Sequence, residues 1–96
     1  MSRCDLFQFR LYVAGDALNS AQAVSNLTAL CRAYLVDRHE IEVVDVFREP
    51  KRALADGIFL TPTLVRLSPG PLRKIVGTLS QTEPVLQFLG LDSPPA

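Results

Sequence analysis

Two cysteines and one histidine are the residues of this 96-residue chain best suited to redox or metal chemistry. Cys4 and Cys31 are far apart and form neither a Cys-x-x-Cys pair nor a metal-ligand spacing. Cys31 is expected to be a buried packing residue, the common fate of a free cysteine. Cys4, close to the start, is expected to be inert. His39 has no cysteine or carboxylate at ligand spacing and is expected in a solvated loop. Asp45 lies between Val44 and Val46. It is either a buried functional carboxylate or a strand-end acid facing solvent, and the second is favoured. Gly15, Gly57 and Gly77 make no phosphate loop. Arg66, Arg73 and Lys74 form a basic group with no interleaved aromatics to stack bases, so a solvated face is expected there.

The elements that must position these residues follow from periodicity. From Leu6 to Ala14, Phe7, Phe9, Leu11 and Val13 alternate with Gln8, Arg10 and Tyr12. Period two predicts a half-buried strand with the second set facing outward. Asn19 and Gln22 have capping-box spacing. Val24, Leu27, Cys31, Tyr34 and Leu35 then recur at helical steps, a stripe for one side of a sheet. Ile41 to Phe47 is β-branched and predicts a second strand, parallel to the first because a helix crosses between them. Glu49-Pro50 predicts a helix start and Gly57 its stop. That helix is short, with thin apolar content in Ala53, Leu54 and Ile58. Thr61-Pro62-Thr63 opens a strand through Leu67, Ser68 to Pro71 turns, and Leu72 to Val76 returns as a hairpin. A last helix carries Val85, Leu86, Phe88 and Leu89, with its start at Ser80 or, given Pro84, at Glu83.

The order β-α-β-α-β-β-α, parallel then antiparallel, is that of a thioredoxin-like α/β domain. One such domain is expected over residues 1–96, with a frayed tail from about 92. Its redox site would be a Cys-x-x-Cys at the head of the first helix, where the dipole lowers a thiol pKa. Residues 14–21 here read Ala-Gly-Asp-Ala-Leu-Asn-Ser-Ala and hold no sulfur. Ser20 takes no part in disulfide exchange. Dithiol chemistry is therefore excluded, and recognition of another protein is the expected work. Pro62 precedes the third strand, where this fold commonly holds a cis bond, and cis is favoured.

Bulk properties narrow the partners. Lys plus Arg equals Asp plus Glu at ten each, which argues against a nucleic acid or an acidic membrane. Zero net charge favours self-association. No leader and no membrane-spanning run are evident, so a cytoplasmic protein is expected.

Set side by side, these segments resemble the KaiB circadian clock family. The matching stretches are Leu-Tyr-Val-Ala-Gly at 11–15, Asn-Ser at 19–20, Val-Val-Asp-Val at 43–46, Thr-Pro-Thr-Leu at 61–64, and Leu-Arg-Lys-Ile-Val-Gly at 72–77 followed by Leu79-Ser80. They fall in order over about residues 7–86. The resemblance implies a protein that is not an enzyme and needs no cofactor or metal. It implies binding to the hexameric ATPase ring of a KaiC-like partner, sequestration of KaiA and displacement of a sensor histidine kinase. It also implies two folds, sharing about residues 6–47: a thioredoxin-like state that binds the ring, and a ground state with a rearranged C-terminal half.

By position, the resemblance assigns ring binding to Pro50, Lys51, Arg52, Leu54, Ala55, Asp56 and Gly57. Departures from the family bear on the fold state. Pro69-Gly70-Pro71 replaces a triple proline, and Phe88 replaces a glycine before Leu89-Gly90. Phe88 favours the last helix by roughly half a kcal/mol on propensity alone, so a lean toward the thioredoxin-like state is expected. Glu42 stands where a lysine is usual, which disfavours a KaiA-like partner, and Ser93-Pro94-Pro95-Ala96 replaces an acidic end. Two rival readings are a thioredoxin-fold protein using a lone thiol and a stress-signalling module on an unrelated partner.

Overall fold

A computed structural model describes residues 6–15, 17–68, 71–80 and 82–89. Cys4, Pro69, Gly70, Gly90 and the 92–96 tail lie outside the described residues. The order is β1 (Phe7–Val13), α1 (Leu18–Tyr34), β2 (His39–Asp45), α2 (Pro50–Ala55), β3 (Thr63–Ser68), β4 (Arg73–Val76) and α3 (Thr82–Leu89). The four strands form one sheet in the order β2-β1-β3-β4. β1 runs parallel to β2, with Phe7 opposite His39 and Val13 opposite Asp45. It runs antiparallel to β3, and β3 to β4, with Val65 opposite Lys74. This is the thioredoxin-like arrangement.

β1 is central, and its alternation sorts two cores. Phe7, Phe9, Leu11 and Val13 pack with Ala23, Leu27, Cys31 and Leu35 from the α1 segment, and with Leu64, Leu79 and Val85. Each fully buried side chain of this size contributes about 1.5–3 kcal/mol by leaving water. A smaller cluster of Tyr12, Val44, Ala53, Ile58 and Val65 lies on the opposite face, under α2. Tyr12 is thus fully buried rather than outward-facing, because α2 covers that end of the strand. Only Gln8 and Arg10 of the alternate set keep any exposure, as expected of a strand that is covered at one end and open at the other.

Several boundaries differ from the sequence reading for local reasons. The Ala21 amide already bonds the Ala17 carbonyl at 3.1 Å, so α1 begins at Leu18 with Ala17 as its cap. Asn19 lies inside the first turn, exposed, and makes no cap bond. Tyr34 falls at the edge of the stripe and is half exposed. His39 is paired in β2 opposite Phe7, and its Nδ1 donates to the Leu35 carbonyl at 2.8 Å, closing α1 rather than sitting in a free loop. β2 ends at Asp45, whose carboxylate accepts the Phe47 amide at 2.9 Å and turns the chain, so Phe47 leaves the sheet. α3 begins at Thr82 and places Pro84 third, within the first turn, where an amide has no intrahelical acceptor to lose. The Thr61–Pro62 peptide bond is cis.

Candidate docking surface on the second helix

α2 is six residues long and starts on Pro50, whose ring presets the first helical φ. Asp56 caps its end, its amide reaching the Arg52 carbonyl while the Gly57 amide takes that of Leu54, each at 3.1 Å. Gly57 follows at φ +70°, a conformation that an L side chain strains to adopt, and there the chain reverses. One side of the helix is committed inward. Ala53 and, beyond the turn, Ile58 are buried against Tyr12, Val44 and Val65.

A polar network fixes the helix from below. The buried Tyr12 hydroxyl donates a short hydrogen bond to the Asp56 carboxylate and lies 3.3 Å from the Arg52 carbonyl. Arg10 reaches Asp56 and Glu42, each at 3.0 Å. Glu42 also holds Arg52 at 2.8 Å, and Arg52 holds Glu49 at 3.2 Å. Lys74 of β4 donates to the Asp56 main-chain carbonyl. The Tyr12 hydroxyl, and then Arg10, hold the Asp56 carboxyl below its ordinary range against the opposing effect of burial. Arg52, and then Arg10, do the same for Glu42. Burial, and then the neighbouring Asp56, push the Tyr12 phenol up. All of these groups keep their usual charge at neutral pH, so the network is a clamp and not an acid–base pair.

The seven residues that position assigned to this site therefore divide. Arg52 and Asp56 are engaged within the molecule, and Gly57 serves the turn. Pro50, Lys51, Leu54 and Ala55 face solvent, with Leu54 at 70% exposure. The sequence reading missed their apolar neighbours: Phe47 just before the helix is 75% exposed, Phe59 just after it 85%, and Leu60 63%. The signal was there in the run Ile58-Phe59-Leu60, of which the core uses only Ile58.

The place of the missing redox site is filled by structural bonds. The buried Ser20 hydroxyl accepts the Ala14 amide at 3.0 Å. Asp45, at the end of β2, accepts the Gly15 amide at 3.2 Å as well as that of Phe47. It joins two loops. Cys31 is fully buried, about three turns into α1, and burial pushes its thiol up to about 11. At neutral pH it is a protonated packing group. Among the described residues, no three His, Cys, Asp or Glu side chains gather as a metal site. No described helix is long and apolar enough to cross a membrane. The basic group is split: Arg73 and Lys74 are exposed as expected, and Arg66 is not. Arg66 is buried on the α1/α3 face, its guanidinium over the Phe88 ring, while Lys74 faces α2.

A sheet of this topology with no sulfur at the head of α1 defines a thioredoxin-like protein without that fold's dithiol. Similar solved structures include the N-terminal domain of Synechococcus elongatus SasA, at TM-score 0.74 and 18% identity over 100% of this chain and 94% of that one. The thioredoxin Deadhead of Drosophila melanogaster matches at TM-score 0.72 and 16% identity, over 91% of this chain and 82% of that one. Both speak to the fold alone. Sequence is more specific: the chain belongs to the KaiB family, with residues 10–91 matching the KaiB domain. Circadian clock protein KaiB3 of a Synechocystis species is 43% identical over 86 residues, 90% of this chain and 82% of the relative. Circadian clock oscillator protein KaiB of a Synechococcus species is 38% identical over 92 residues, 96% of this chain and 82% of the relative.

Proposed function

We propose that this chain is a non-catalytic clock-type adaptor that docks the outer face of α2 on a KaiC-like hexameric ATPase and modulates its cycle. The observation that carries this reading is the division of α2. Its inner residues are tied to the sheet, whereas Lys51, Leu54 and Ala55, flanked by Phe47, Phe59 and Leu60, stay exposed. Exposed apolar side chains on and beside a short charged helix are the kind from which an interface core is built. The names of the relatives, circadian clock proteins, support the same reading. A lone-thiol enzyme is disfavoured by the burial and raised pKa of Cys31.

The remaining partners divide. A sensor histidine kinase whose N-terminal domain shares this fold would compete for the same ring surface. A KaiA-like partner is not part of the proposal, because Glu42 is held by Arg10 and Arg52 and carries the charge opposite to the one usual in the family. The test is co-elution of this protein with a purified KaiC-like hexamer on a sizing column, in ATP and in ADP. A complex in at least one state, abolished by Leu54→Glu, is expected. No complex in either state, or a complex indifferent to Leu54→Glu, overturns the proposal.

A further inference from the structure

Among the described residues Arg66 is the one buried cation, and the site on α2 does not use it. It is 7% exposed, and among the side chains the structure describes none is a carboxylate within ion-pair distance of it. Its two terminal nitrogens go to different segments. Nη1 donates to the Phe88 carbonyl of α3 at 3.0 Å, and Nη2 lies 3.5 Å from the Pro71 carbonyl at the hairpin turn. The guanidinium also sits 5.9 Å from the centre of the Phe88 ring. The Phe88 carbonyl belongs to the last turn of α3, where carbonyls lack intrahelical donors and a cation is favoured.

We propose that Arg66, from its place in β3, is a latch that pins both the hairpin turn and α3 to the sheet, so that loss of its fork loosens the two together. The Arg66–Phe88 bond ties α3 directly to a strand of the sheet. What otherwise holds α3 is the packing of Val85 and Phe88 on the larger core. The planar fork of arginine reaches two carbonyls at once, which the single ammonium of lysine does less well. The latch is also incomplete. Its Nε is buried with no acceptor among the described residues, and Arg73 stands directly across the hairpin with the same charge. An unpaired donor and a like-charge neighbour both lower the cost of opening. Release of α3 is therefore a partial event, well below global unfolding.

Native-state hydrogen exchange of the intact protein tests this, with the amides of Leu86, Gln87 and Phe88 reporting α3, those of β4 the hairpin, and those of Leu11 and Tyr12 the sheet centre. Arg66→Met keeps the apolar stem and removes the fork. It is expected to lower protection of α3 and β4 together by about tenfold while β1 stays within about twofold. Arg66→Lys, the gentler variant should methionine prevent folding, is expected to give a smaller loss in the same two elements. The latch is overturned if α3 protection is unchanged or rises, if α3 loosens without β4, or if β1 loosens equally.

Discussion

On one face of the sheet, α1 and α3 cover Phe7, Phe9, Leu11, Val13 and Leu64 with side chains that carry almost no polar atoms. On the other, α2 rests on Tyr12, Val44 and Val65, and the remainder of its hold is the Tyr12–Asp56–Arg10–Glu42–Arg52 network. The first face is held by apolar packing, although Leu18 and Tyr34 at the two ends of α1 stay exposed. The second needs only Ala53 and Ile58 from its helix segment, because hydrogen bonds and ion pairs supply orientation. That leaves Leu54, Phe47, Phe59 and Leu60 uncommitted. A short helix fixed by charge below can leave the apolar residues beside it free for a partner, whereas a helix fixed by packing commits the middle of its apolar stripe to the core.

The contrast predicts a graded set of responses. Leu27→Ala opens a cavity in the apolar face and should cost about 3–4 kcal/mol in denaturant unfolding. A loss below about 1 kcal/mol would mean that this face is not closed by packing. Tyr12→Phe removes a hydrogen bond to a charged partner and should cost about 1–2 kcal/mol, with weaker ring binding because α2 loses its orientation.

Acid sharpens the comparison. Asp56 and Glu42 have folded pKa values below their ordinary ones, so their contribution is full above the ordinary carboxylate range. It is lost as pH falls through that range toward the folded values. Unfolding midpoints measured between about pH 6 and pH 3 should fall for the wild type. They should fall less for Tyr12→Phe, which removes the largest cause of the Asp56 shift. Equal slopes would detach Tyr12 from the network.

The apolar face was legible in the sequence and the polar one was not. The alternation of Phe7, Phe9, Leu11 and Val13 and the helical spacing of Leu27 and Cys31 identify β1, α1 and their contact directly, because apolar burial dominates there. Tyr12 read as outward because periodicity cannot see a six-residue helix laid across one end of a strand. The partners of Arg10 and Glu42 come from elements distant in sequence, so no local spacing announces them. Arg66 read as solvated for a related reason: the Phe88 ring and carbonyl that bury it are 22 residues on. The position of α2 was legible through Pro50 and Gly57, but only coordinates separate its inward Arg52 and Asp56 from its outward Lys51 and Leu54.

The smallest expected change in stability belongs to the most informative residue. Leu54→Ala touches a side chain 70% exposed and should shift unfolding by less than about 0.5 kcal/mol. The direct test is to titrate wild-type and Leu54→Ala protein against the same KaiC-like hexamer and compare dissociation constants. A weakening of about tenfold or more at unchanged stability is the result expected of an unspent docking face. Equal affinities would contradict the account and show that the outer side of α2 is bare surface.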